Sequence, residues 1–91
     1  MQMSGSDAHI NFDSPATLRK WPSLHNERIK EGRSAYLVFE GTLDECIKEF
    51  KAKPESSRHL YEIHTAPQPK LITEVLSSEQ VVELARLRDF L

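Results

Sequence analysis

The clearest structural signal in the chain is YLVFEGTLDECIKEF, residues 36–50. Residues 36–39 form a continuous apolar run with β-branched and aromatic side chains, which is typical of a strand buried on both faces, so we predict a central strand. Thr42 and Glu45 then have the spacing of a capping box, in which each side chain bonds the other residue's backbone N–H. A helix therefore begins at Thr42. Its apolar side chains share one face, which is expected to pack on the sheet: Leu43, Cys46, Ile47 and Phe50.

The beginning of the chain has little apolar surface. Residues 1–8 are small and polar, so we expect them to be disordered because burial cannot compensate for the entropy lost on ordering. Ile10 and Phe12 alternate with polar neighbours, a pattern that favours a short edge strand over residues 9–13.

Two short helices, or one kinked helix, are predicted between this segment and the central strand. Ser14 followed by Pro15 is typical of a helix start, because the serine oxygen accepts an unpaired N–H and proline loses no hydrogen bond there. This predicts a helix over residues 16–21. Ser23 offers a second cap, for a helix over residues 24–31.

The second half of the chain predicts two strands and a final helix. Residues 58–65 alternate in polarity, which indicates a strand with Tyr61 and Ile63 pointing inward. Residues 70–76 suit either a strand or one face of a helix, and we take the strand. Ser77 and Gln80 form a second capping box, which opens a helix that continues to the end of the sequence.

These elements predict an α+β fold. The order is helix, strand, helix, strand, strand, helix, in a small two-layer sandwich with about three strands and with helices covering one face. The strand at residues 36–39, the helix from Thr42 and the strand at residues 58–65 are compatible with a right-handed crossover between parallel strands. Residues 9–91 are expected to form one domain.

Composition limits the class of protein. The 91 residues are 38% hydrophobic and 29% charged, as expected of a globular domain. Twelve basic and fourteen acidic side chains give a net charge of −2, which disfavours binding to polyanions or anionic membranes. The single Cys46 cannot form an internal disulfide, and no signal peptide or spanning segment is evident, so we expect a cytoplasmic protein. Cys46 lies on the apolar helix face, where an inert, packed thiol is expected.

The final helix carries the main functional prediction. Its apolar residues occupy more than half of the helical wheel, so one sheet cannot cover them all. We predict a protein-interaction or accessory domain that acts through this helix, as a homodimer or with a protein partner. Three residues are expected to reach the second chain: Val82, Leu87 and Phe90.

A second hypothesis is a small enzyme, or an anion- or metal-binding protein, that uses an exposed sheet face. Glu62 and His64 are two apart on a predicted strand and share a face, with Arg58 available to orient an anionic group. Glu40 from a neighbouring strand would supply a third metal ligand. The common dinucleotide, triphosphate, zinc and serine-hydrolase motifs are not found in the sequence, so no cofactor or metal is expected and an enzyme is the less favoured reading.

The third hypothesis is weak nucleic-acid binding. Residues 14–34 carry a local excess of basic side chains, with Trp21 among them. The balanced charge of the whole chain makes this unlikely, because nucleic-acid binders generally show a basic excess across the domain. The candidate residues are Arg19, Lys20, Arg28 and Arg33.

Overall fold

A computed structural model describes residues 10–29, 34–69, 71 and 73–90. The predicted disorder over residues 1–8 lies outside these ranges. The elements run β1 (Pro15–Lys20), β2 (Ser23–Leu24), β3 (Glu27–Arg28), β4 (Tyr36–Thr42), α1 (Leu43–Lys51), a 3₁₀ helix (Glu55–Leu60), β5 (Tyr61–Thr65), β6 (Val75–Leu76) and α2 (Ser78–Phe90).

The α+β class predicted from the sequence is confirmed. A four-stranded sheet has the order β4-β1-β5-β6, and every neighbouring pair is antiparallel. Since β4 and β5 are both antiparallel to β1, they run parallel to each other, and α1 connects them. The predicted strand–helix–strand unit is therefore present, but β1 is inserted between its two strands.

The core lies between the sheet and the two helices. Both capping boxes form: Thr42 with Glu45 before α1, and Ser77 with Gln80 before α2. As expected, α1 buries its apolar face, and Tyr61 and Ile63 of β5 point inward. The largest fully buried side chains are Phe50, Leu18, Leu43, Ile47, Ile63, Val81 and Cys46.

The prediction of a helix over residues 16–21 is wrong. This segment is β1, the strand between β4 and β5, and it buries Ala16 and Leu18 with polar side chains between them. That alternation has the period of a strand, and it overrides the local helix signal of Ser14 and Pro15 because the strand gains partners on both sides. Pro15 is tolerated as the first residue of a strand.

The second predicted helix, residues 24–31, is also wrong over the residues that are described. Strands β2 and β3 form a hairpin instead, with residues 30 and 31 outside the described ranges. His25 and Asn26 occupy its turn with φ of 54° and 63°. Two consecutive positive φ angles are typical of a tight hairpin turn, and Asn adopts them at low cost.

Strand β4 is an edge strand, so the prediction that it is central and buried on both faces is wrong. Leu37 is 51% exposed, and Tyr36 and Val38 are exposed as well. Phe39, opposite Leu18 of β1, packs against the core. The run of apolar residues thus indicates a strand correctly, but it does not indicate whether that strand is central or at an edge of the sheet.

Three further predicted boundaries change. Of the strand predicted over residues 70–76, only Val75–Leu76 is a strand among the described residues, and residues 70 and 72 lie outside the described ranges. Residues 58–60 belong to the 3₁₀ helix, so the strand predicted over residues 58–65 begins at Tyr61. Residues 10–13 form a loop and turn rather than an edge strand. In this loop Asn11 N–H donates to Gln68 Oε1 and Asn11 O accepts from Gln68 Nε2, both at 2.8 Å, so a side-chain amide takes the place of a neighbouring strand.

Candidate interaction surface

Helix α2 covers the sheet with only part of its circumference. Val81, Leu84 and Ala85 are buried in the core. On the outer side, Leu87 is 40% exposed and Phe90 is 90% exposed. Since Leu87 and Phe90 are three residues apart on a helix, their side chains are neighbours on its surface.

An apolar groove runs beside this exposed part of α2. It has a volume of about 410 Å³. Its apolar wall combines leucines from the helix with leucines from the segment that leads into it, and carboxylate and amide side chains stand along it. The lining residues are Leu71, Thr73, Leu76, Glu79, Gln80, Glu83, Leu84 and Leu87.

Val82, which was predicted to reach a partner together with Leu87 and Phe90, lies on another side of α2. It is half-buried, packs against the core and lines a smaller cavity of about 230 Å³ with Phe50 and Arg58. Five residues separate Val82 from Leu87, which places them about 140° apart around the helix. Phe90 lies between them, about 60° from Leu87 and about 80° from Val82, so Val82 and Leu87 flank it on opposite sides.

The carboxyl-terminal half of α2 is fastened to α1 by charged side chains. Arg88 donates to Asp44, and Lys51 Nζ lies 3.3 Å from Asp89 Oδ2. The hydrogen bond from Arg88 holds the pKa of the Asp44 carboxyl below its usual value, and Asp44 raises the pKa of Arg88. Leu87 and Phe90 are thus exposed on a helix whose position is fixed.

The sheet face opposite the helices carries the pair named in the enzyme hypothesis. His64 Nε2 lies 2.5 Å from Glu62 Oε2, and Trp21 Nε1–H donates to Glu62 Oε1 at 2.8 Å. Glu62 is buried, with both carboxylate oxygens engaged. The sequence placed Glu62 and His64 on one face, but it gave no sign that Trp21, 41 residues earlier, completes the group.

Arg58 and Glu40 do not join this pair. The Arg58 guanidinium donates to the carbonyl oxygens of Lys53 and Lys51, at 3.1 and 2.8 Å. Glu40 is paired with Thr17 of β1, which in turn is paired with His64, so a whole strand separates the two side chains. In the described ranges no group of three or more His, Cys, Asp or Glu side chains is arranged to hold a metal ion.

The basic residues of the nucleic-acid hypothesis point in different directions. Arg19 and Lys20 are consecutive on β1, so their side chains leave opposite faces of the sheet. Lys20 Nζ lies 5.9 Å from the centre of the Tyr61 ring, and the Arg28 guanidinium lies 5.2 Å from the centre of the Trp21 ring. Arg33 lies outside the described residues.

Comparisons of the chain with family models, with curated proteins and with solved structures found no match. Among the helices that the structure describes, none is both long and apolar enough to cross a bilayer.

Proposed function

We propose that this chain is a protein-interaction domain that forms a homodimer through α2 and the apolar groove beside it. The observation that carries the proposal is the position of Phe90, which is 90% exposed at the end of a surface formed by Leu87 and the groove. Burying one phenylalanine side chain contributes about 1.5–3 kcal/mol. A twofold interface uses each contact twice, so the gain is doubled.

Charge along α2 favours an antiparallel arrangement of the two helices. Glu79 and Glu83 lie in the first half of the helix, and Arg86, Arg88 and Asp89 lie in the second half, where Arg88 bonds Asp44 of α1 and Arg86 Nη1 lies 3.1 Å from Glu83 Oε1 of its own helix. An antiparallel pair brings the acidic half of each helix beside the half of the other that carries both arginines. In this arrangement Phe90 of each copy covers the groove of the other copy near Gln80, between Leu76 and Leu84.

The first prediction tests this interface by substitution. Leu87→Lys places a charge in the apolar contact, so we expect the variant to sediment as a monomer at protein concentrations where the parent sediments as a dimer. Phe90→Lys is a second variant whose folding does not depend on the substituted side chain, because Phe90 is almost fully exposed. The measurement is sedimentation equilibrium, with circular dichroism to verify the fold.

The matched control is Leu24→Lys. Leu24 is 63% exposed in the β2–β3 hairpin, outside the groove lining, so this change adds the same charge and removes the same side chain elsewhere. Its mass in solution should equal that of the parent. A monomeric parent at the highest soluble concentration would contradict the proposal, as would a dimer that survives both α2 substitutions.

We further propose a cytoplasmic location. It is supported by the single cysteine of the sequence, Cys46, which is free and buried and therefore suits a reducing compartment. Fluorescence of a tagged chain in the cell tests the location, and accumulation in an oxidising compartment would contradict it.

A further inference from the structure

The edge strand β4 offers hydrogen-bonding groups and apolar side chains on the side of the sheet away from α2. Within the described ranges β4 pairs with β1 alone, so its other edge has no neighbouring strand, and only at its end is a backbone donor taken, where the Thr42 N–H bonds Glu45 Oε1. Exposed edges usually carry lysine or proline, are very short, or contain a β-bulge, because these features prevent further pairing; β4 has a bulge at Val38 only, so residues 39–41 keep a regular edge. The sequence of β4, YLVFEGT, contains neither residue.

A β-bulge explains why consecutive apolar side chains of β4 are exposed. Phe39 is opposite Leu18 and Leu37 is opposite Arg19, which leaves Val38 without a partner on β1. The extra residue interrupts the alternation, so Leu37 and Val38 are both exposed. Beyond the bulge, residues 39–42 pair regularly with β1, and the backbone groups of this part that point away from β1 are free except for the Thr42 N–H, which bonds Glu45 Oε1, as far as the described residues show.

The carboxyl-terminal end of β4 is acidic. Glu40 is exposed on the strand, and Glu45 Oε1 accepts the N–H of Thr42 at 2.9 Å, which holds its carboxylate against the backbone of the strand. Neither Glu40 nor Glu45 forms a salt bridge with any residue that the structure describes. Among the described residues, two carboxylates therefore lie beside this edge without a paired cation.

We propose that β4 accepts an extended, basic segment of a partner protein as an added strand of the sheet. Backbone hydrogen bonds to β4 supply the pairing, apolar side chains of the segment cover Leu37 and Val38, and its Lys or Arg side chains meet Glu40 and Glu45. A second copy of this chain fits less well, because pairing two β4 strands brings four carboxylates to one edge and supplies no cation from either strand. This surface is distinct from the α2 groove.

The test is an NMR titration of the parent protein with two capped heptapeptides, one of alternating Lys and Val and one of alternating Glu and Val. With the basic peptide we expect the amide signals of residues 36–41 to shift and those of α2 to stay in place. Each exposed ion pair changes affinity by a factor of about 1.5 to 5, so two pairs should give the basic peptide an advantage of at least about twofold.

Substitutions then locate the contact. The double variant Leu37→Lys, Val38→Lys is expected to weaken binding of the basic peptide at least about tenfold, since it removes the apolar contact and repels the ligand. Glu40→Gln should weaken binding a few-fold and leave the pattern of shifts intact. The control is Val75→Lys, at the opposite edge of the sheet, where Val75 is also exposed; it should leave the affinity unchanged.

Several results would overturn the inference. One is the absence of β4 shifts with either peptide, and another is equal affinity for the two peptides. A third is a set of β4 signals that shift as the protein alone is concentrated, which would identify a second copy as the occupant. Because signals of β4 and α2 are read separately, failure of this inference is distinguishable from failure of the α2 dimer.

Discussion

Cys46 shows what the core does to a single side chain. It is completely buried on α1, and this desolvation, together with the nearby Glu45 and Glu49 carboxylates, raises the pKa of its thiol to about 11. The thiolate is the reactive form, so the group is unreactive at neutral pH. The sequence predicted this environment from the helical spacing of Leu43, Cys46 and Ile47 alone.

The second prediction follows from that raised pKa. In the folded protein Cys46 keeps its proton up to about pH 11, whereas the unfolded thiol loses it near its ordinary value of 9.0. The contribution of Cys46 to the free energy of unfolding is therefore fully present below about pH 9. It declines as the pH rises from 9 to 11, by roughly 2–3 kcal/mol in total. Urea unfolding of the parent and of Cys46→Ala over this range measures it.

Comparison with Cys46→Ala isolates the thiol, because other alkaline titrations are common to both proteins. Their stability difference should be constant from pH 7 to 8 and should change in favour of the variant above pH 9. A stability difference between the two proteins that stays constant up to pH 11 would contradict the raised pKa of Cys46. Rapid modification of Cys46 by a thiol reagent in the folded protein would contradict it independently.

Of the three side chains in the group around Glu62, residue spacing predicted the contact with His64 but not the contact with Trp21. Spacing of two on a strand placed Glu62 and His64 together, and their side chains are in contact. Trp21 joins them only because β1 pairs with β5, with Arg19 opposite Glu62, and no local pattern encodes that pairing. A buried carboxylate with both oxygens hydrogen-bonded is the arrangement expected of a structural polar group.

At the scale of elements, the capping boxes were the dependable signals. Each needs only two residues three positions apart, so tertiary structure does not have to be known. The edge position of β4 and the strand at residues 15–20 depend on which strands become neighbours, and that is decided by contacts between distant residues. The groove beside α2 was missed for the same reason, because Leu71 and Leu76 reach it from outside the helix.

The third prediction concerns these caps. Thr42→Ala and Ser77→Ala each remove a side-chain oxygen that accepts a helix N–H, at 3.1 and 3.3 Å respectively. Each change should lower the free energy of unfolding by about 1 kcal/mol, measured by urea denaturation followed by circular dichroism. The control is Ser56→Ala, an exposed serine, which should change stability by less than about 0.5 kcal/mol. Equal losses in all three variants would mean that the caps contribute nothing specific.

The whole molecule depends on the attachment of α2 to the rest of the fold. Residues from β5, β6 and the 3₁₀ helix pack against it, and Asp44 and Lys51 of α1 bind Arg88 and Asp89 near its end. The sequence predicted that α2 has more apolar surface than one sheet can cover. It did not predict the ion pairs with α1, which connect side chains 38 and 44 positions apart.

The fourth prediction uses the pH dependence of this attachment. Because Arg88 lowers the pKa of Asp44 in the folded state, Asp44 stabilises the protein above its unfolded pKa of 3.8, and the contribution is lost as the pH falls through the lower folded value. Parent and Asp44→Asn should therefore differ in stability at pH 7 and converge in strong acid.

Hydrogen exchange gives the local readout, since backbone N–H groups of residues 86–90 should exchange faster in Asp44→Asn than in the parent at pH 7. Glu55→Gln is the control, because Glu55 pairs with Arg58 at 3.7 Å but is 89% exposed. It should leave both the acid profile and the exchange rates of α2 unchanged. Unaltered exchange in Asp44→Asn would show that α2 stays attached without this pair.

The placement of β1 also has a consequence for synthesis. Among the described strands β1 comes first in the chain and lies between two others, and its partners follow at residues 36–42 and 61–65. Until translation reaches Thr65, β1 has at most one of its two neighbouring strands. The centre of the sheet is therefore completed only when β5 has been synthesised. Deleting β1 would remove the strand that joins β4 to β5, whereas loss of the two-residue β6 would remove only an edge strand.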